Sequence, residues 1–234
     1  MEYIKNYNNY SDDLIIEKLN LQSLLDTFKS LNNRKVATFI VGSLLTVMTV
    51  TQTINYISNL NLNSSQKSIL IQNVDKFKDP LSFGVSKLAY EHIKNHEKLK
   101  LKAYTINDGK ITIGYGHAEP IRNSKFKIGQ EITEEKADEL LNQDVKTAYE
   151  GVRRIFKEWL QKGIKIKLTQ SQFDVLVSLA FNMGIDGLRT SEFIQALKNK
   201  DLKAASELIK ITGLRDGFAG LVDRREEEYN IFIS

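Results

Sequence analysis

The sequence predicts an α+β protein, mainly helical, with one small β-hairpin sheet and a helical lobe, preceded by an N-terminal helical segment. Three observations predict it. Apolar residues recur near helical spacing along much of the chain. Residues 101–117 read instead as short extended segments around an Asp-Gly turn. Glycine is also unevenly spread: only Gly42 and Gly84 precede residue 109, and the other eleven of thirteen lie between Gly109 and Gly220. With 234 residues, 41% of them hydrophobic, the chain can close one sizeable core and a small second unit. Charged residues make up 26% and the net charge is +4, as in folded soluble proteins. The absence of cysteine excludes disulfide frameworks, thiolate zinc sites and cysteine nucleophiles. Nine basic and seven acidic residues lie at or before residue 90 and 24 and 22 follow, so each part carries +2. Neither shows the basic stripe of a nucleic-acid binder, and no nucleic-acid partner is expected. A mild positive charge still favours an anionic polymer.

In chain order, Ser11-Asp12-Asp13 caps a predicted helix whose apolar positions run from Leu14 to Leu31. Arg34-Lys35 then introduces an apolar run from Val36 to Val50 that continues weakly through Ile57. A signal peptide is disfavoured because the run starts far from the N-terminus. At ~1.5 Å per residue the run alone falls short of the ~20 residues that cross a bilayer. Two readings remain open: a marginal membrane anchor with its basic flank in the cytoplasm, or a helix buried against its neighbour or a partner protein. Ser64-Ser65 caps a short helix through Ile71. Pro80 marks the boundary between an N-terminal segment, residues 1–80, and a second domain, residues 81–234. A longer helix is expected from Leu81 to Glu97.

Glu97 closes that helix and faces the predicted hairpin, which carries Asp108 and Thr112. A cleft with acids on both walls is the minimum architecture for general acid-base chemistry on a sugar. On composition alone, a Glu followed by Lys at a helix end is a solvated charge. Further on, Thr169 and Gln172 form a predicted capping box opening a helix over Leu168 to Gly184. Ser191 to Lys198 and Asp201 to Lys210 read as short amphipathic helices, and Gly220 to Phe232 closes the chain.

Glu97, Tyr104, Gly109 and Thr112-Ile113-Gly114-Tyr115-Gly116-His117 together resemble the signature of the phage-type lysozymes, glycoside hydrolase family 24. The helix ending in Phe181-Asn182-Met183-Gly184 and the Arg224-Arg225 segment are similar to that family's central and closing helices, so the resemblance covers about residues 88–234. It implies a lysozyme-like fold and cleavage of the β-1,4 bond between N-acetylmuramic acid and N-acetylglucosamine in peptidoglycan, without metal or cofactor. It makes Glu97 the general acid, Thr112 the holder of the attacking water, and Arg224 the residue that orients Glu97. To donate, a carboxyl must keep its proton near neutrality, which burial favours and an adjacent arginine opposes. His117 and Tyr104 would support the site or the substrate.

Where the family usually carries its second acid this sequence has Ile106. Asp108 is the expected substitute, beside its alternative role as a turn residue bonding its own backbone. Inversion would need two carboxyls ~6.5–9.5 Å apart with a water between them. The departure keeps a lytic transglycosylase in view, which needs only one acid, and a non-catalytic virion or baseplate component is the reading outside enzymes. Expected partners are peptidoglycan and, through residues 1–80, a membrane or virion and tail proteins. The expected location is the host periplasm or wall, either membrane-anchored or virion-associated.

Overall fold

The computed structural model describes residues 21–31, 33–214 and 219–234. The predicted cap at Ser11-Asp12-Asp13 therefore lies outside the described residues. Four helices open the described chain: α1 (Leu21–Leu31), α2 (Arg34–Val47), α3 (Val50–Asn59) and α4 (Ser64–Val74). Next come α5 (Lys87–His96) and strands β1 (Lys100–Tyr104), β2 (Lys110–Gly114) and β3 (His117–Pro120). The helices α6 (Glu134–Gln161), α7 (Gln170–Thr190), α8 (Glu192–Lys198), α9 (Leu202–Ile209) and α10 (Ala219–Phe232) complete it.

These elements form two compact units that do not follow chain order. One gathers the residues up to Phe83, Leu160–Phe173 and Ser191–Ser234; the other gathers Gly84–Trp159 and Asp174–Thr190. The division expected after residue 80 follows the chain, whereas the first unit holds the first helices together with the last ones.

In the first unit the apolar run splits in two. Asn33 caps α2 by accepting from the Lys35 N–H, and Thr49 starts α3 with a full capping box to Gln52. Two four-turn-or-shorter helices result, and no helix among the described residues is long and apolar enough to cross a membrane. Burial takes up the apolar face instead: Leu25 and Phe28 of α1, Ile40, Val41 and Leu44 of α2 and Leu70 of α4 are all buried. Polar ties accompany this packing. The Thr38 hydroxyl donates to Asn73 Oδ1 at 3.3 Å, and Gln66 Nε2 donates to the Lys29 carbonyl at 3.2 Å. The cap of α4 is Asn63 rather than the serines after it, because Asn63 completes a capping box with Gln66. At Gly42 an added Cβ would lie 2.6 Å from Leu202 Cδ1 and 3.1 Å from the Phe77 ring, so only glycine lets α2 approach α9 this closely. Within α10 the fully buried Arg225 donates to Glu228 Oε2 and to the Thr212 carbonyl, both at 2.6 Å.

In the second unit the strands pair antiparallel in the order β1-β2-β3, with Ile113 opposite His117 and Lys110 opposite Pro120. Asn107 and Gly109 take positive φ in the turn, as Asp-Gly hairpins require. One face of the sheet packs Ala103, Ile111 and Ile113 against Phe126 and Leu140. The helix expected from Leu81 begins only at Lys87. A 3-10 turn follows Pro80, and Ser86 supplies the N-cap by accepting from the Ala89 N–H. No element was predicted between residues 121 and 167, yet this stretch holds the 28-residue α6, the longest helix described.

The close approach at Gly42 makes a prediction. Gly42→Val should destabilise the protein by about 1–3 kcal/mol through overpacking, read as a lower midpoint in urea unfolding, whereas a valine at exposed Gly84, whose Cβ meets nothing within 4 Å, should cost far less.

Candidate active site

The second unit contains an open cavity of about 570 Å³ with three walls. Glu97, Tyr115, Gly116 and Ala118 come from the end of α5 and the sheet; Asp144, Thr147 and Arg154 come from α6; Phe181, Asn182, Gly184 and Ile185 come from α7.

Glu97 is the C-cap of α5, where the backbone leaves the helix in an extended conformation. Its side chain is half-buried, and a Cβ on Gly116 would stand 3.5 Å from Glu97 Oε2. Both ends of α5 are tied down. At the start, the Ser86 hydroxyl donates to Asp174 Oδ2 at 2.6 Å and the Ser86 N–H donates to Oδ1 at 3.2 Å. In the last turn, the Lys94 ammonium pairs with Asp138 at 2.6 Å, and that hydrogen bond holds its pKa above the ordinary lysine value.

The α7 wall depends on a break in the helix. Gly184 adopts φ 78° and ψ 158°, a conformation that L side chains rarely reach, so the helix stops where the sequence places Phe181-Asn182-Met183-Gly184 and resumes in a new direction. A fork of hydrogen bonds from Arg189 to Glu158 then fastens the resumed part to α6. The capping box that starts α7 is present as predicted: the Thr169 N–H donates to Gln172 Oε1 at 3.0 Å and the Gln172 N–H donates to Thr169 Oγ1 at 3.2 Å.

Of the residues singled out in the sequence, the cavity brings in Glu97 directly. Thr112 is half-buried on β2, opposite Ala118 of β3 and Tyr104 of β1. Directly paired residues share a face of a sheet, so Thr112 and Tyr104 lie on the face that Ala118 presents to the cavity. The Lys100 ammonium stands 4.0 Å over the Tyr104 ring. His117 lies beside the cavity in a chain of charges. Its Nδ1 is 2.9 Å from Asp144 Oδ2 and its Nε2 is 3.4 Å from Glu119 Oε1. The bond to Asp144 raises the His117 pKa, although burial works against it. Burial also opposes charge on Glu119, but hydrogen bonds from the Lys125 N–H and the Ser124 hydroxyl hold its pKa below the usual range.

Asp108 is not among the lining residues. It is exposed in the hairpin turn, where its Oδ1 accepts from the Lys110 N–H at 3.1 Å, the turn role held open for it. Arg224 belongs to the first unit and is buried there, with its Nε 3.3 Å from Glu228 Oε1. Sequence reasoning missed the α6 contribution, Asp144 above all. The signal was available: Leu141, Val145, Ala148, Val152 and Ile155 recur at helical spacing after Thr133, whose hydroxyl accepts from the Lys136 N–H at 3.2 Å.

Comparison with known proteins agrees with this geometry. The phage lysozyme family model matches residues 94–228. An endolysin of Bacillus phage B103 is 37% identical over 157 residues, 64% of this chain and 54% of the relative, so the chain spans about half of that protein. An endolysin of Acyrthosiphon pisum secondary endosymbiont phage 1 is 34% identical over 61% of this chain and 92% of its own length. Among solved structures, the muramidase domain of SpmX from Asticaccaulis excentricus matches with 29% identity and a TM-score of 0.54, covering 64% of this chain and 98% of that one. An endolysin from an Escherichia coli phage, FAHEc1, matches with 30% identity and a TM-score of 0.52, covering 64% and 94%.

Two predictions follow from the ties around the cavity. Asp174→Ala should remove the anchor of Ser86 and lower stability by about 1–3 kcal/mol, seen as a fall in the thermal midpoint. The raised pKa of His117 gives a stabilising contribution that is complete below about pH 6.5 and fades as pH rises through the elevated value. Urea midpoints measured across that window should decline in the wild type and flatten in Asp144→Asn.

Proposed function

The chain belongs to the phage lysozyme family, and from that premise we propose that it is a peptidoglycan hydrolase, a muramidase that cleaves the N-acetylmuramic acid to N-acetylglucosamine β-1,4 bond. The observation that carries the reading is Glu97 at the lip of an open cavity, on a helix end tied at both extremities. In this reading the Glu97 carboxyl protonates the glycosidic oxygen as the bond to the anomeric carbon breaks. The Thr112 hydroxyl, on the cavity face of the sheet, holds the water that attacks the anomeric carbon from the opposite side; this water releases a proton to the solvent of the open cavity as the new C–O bond forms, and inversion results. Tyr104 and the α7 wall, Phe181 and Asn182, offer apolar and amide surfaces to a sugar chain. The protein would act at the host wall.

The second acid stands differently from the expectation. Asp108 serves the hairpin turn, and the other carboxylate lining the cavity is Asp144, which is engaged by His117. That observation favours one second reading, a lytic transglycosylase, in which Glu97 acts alone and a hydroxyl of the muramyl residue replaces water.

One experiment separates these outcomes. The full chain should clear suspensions of purified walls and release reducing ends, and Glu97→Gln should lower the rate at least a hundredfold. Anhydro-muramyl ends would establish the second reading, and undiminished clearing by Glu97→Gln would remove Glu97 from its role.

A further inference from the structure

Exposed cations and exposed apolar side chains occur together near the β1–β2 turn of the small sheet. Residues 98–127 contain seven basic and two acidic residues, a local +5 in a chain whose total is +4. All seven cations are exposed. Lys98 and Lys100 lie at the far end of β1, where Lys100 faces Gly114, and Lys102 pairs with Glu131 at 3.9 Å, which leaves Lys110, Arg122, Lys125 and Lys127, with the exposed acid Asp108, nearest the turn.

The same segment and the residue after it hold isoleucines that no core uses. Ile106 is 70% exposed, Ile128 61% and Ile121 48%. Backbone hydrogen bonds set Ile121 beside the turn joining β1 to β2 and Ile128 beside the last residues of β1. The Ile121 N–H donates to the Gly109 carbonyl at 2.9 Å, and the N–H of Gly129, next to Ile128, donates to the Ala103 carbonyl at 2.8 Å. Ile106 lies three residues from both of those acceptors. Lys110 follows Gly109, Arg122 follows Ile121, and Lys127 precedes Ile128 in the chain. Ile106 is also the residue standing where a catalytic acid was expected, and nothing in the cavity explains it.

We propose that this turn end of the sheet is a contact surface for a bilayer containing anionic lipid. The isoleucines enter the headgroup boundary while the lysines and Arg122 meet phosphate oxygens. Charge complementarity selects an anionic partner, and the aliphatic side chains select lipid. An anionic wall polymer would be held by the cations alone and gives no reason for three isoleucines to stand in water. The proposal is independent of the reaction performed in the cavity.

The test is sedimentation of the full chain with vesicles of phosphatidylglycerol and phosphatidylcholine, and with phosphatidylcholine vesicles alone. The wild type should partition onto the anionic vesicles, weakly at raised salt and hardly at all onto the neutral ones. The triple variant Ile106→Ser, Ile121→Ser, Ile128→Ser should keep its thermal midpoint and bind anionic vesicles at least tenfold less. Lys110→Glu with Lys127→Glu should give a loss of similar size. Absence of wild-type binding, or binding that the serine variant retains, overturns the proposal. So does a protein that ignores vesicles yet pellets with walls only while their phosphodiester polymer is present, which would assign the cations to that polymer. Cleavage of soluble wall fragments is scored separately, so failure of the muramidase reading and failure of this one are distinguishable.

Discussion

The placement of Glu97 rests on the immobility of α5. A short helix of ten residues has little intrinsic stability in water, so the position of its C-cap depends on what holds it. Asp174 grips Ser86, the N-cap of the helix, through both of its carboxylate oxygens, and Asp138 takes Lys94 in the last turn. These partners come from α7 and α6, the two helices that also supply the other walls of the cavity. The carboxyl that would donate the proton and the surface that would receive the sugar are therefore registered by the same two helices.

The rest of the cavity shows how a carboxylate's job follows from its neighbours. Asp108 is spent on a backbone N–H in its own turn, as short acidic side chains beside glycine commonly are. Asp144 faces the cavity but shares His117 with Glu119, and the resulting chain of alternating charge joins α6 to β3. Glu97 stands at the end of α5 near Gly116, on the wall of the cavity.

In the first unit the apolar run forms two helices that pack into a helical core. Thr49 and Gln52 stop it from being one long helix, because the capping box satisfies the backbone groups of a new helix start. Each half then buries its apolar face among α1 and α4, and Gly42 brings α2 against Leu202. Hydrophobicity alone cannot tell a bilayer from a helical core, since both offer an apolar medium. The capping box limits the length of each helix.

The sequence by itself determined what is local. The Asp-Gly hairpin, the capping box at Thr169 with its helix, and the spacing of Glu97, Tyr104 and Thr112 are each written in a few consecutive residues, because turn geometry and capping act over one helical turn or one reversal. The helical period of α6, and with it the place of Asp144, is local in the same way. Tertiary structure alone decided which of the acids meet in one cavity, where Asp108 spends its hydrogen bond, and that the opening helices pack with the closing ones. Those outcomes depend on contacts between residues far apart in the chain, such as Ser86 with Asp174 and Gly42 with Leu202. No local pattern encodes them, because burial and pairing are properties of the packed interior.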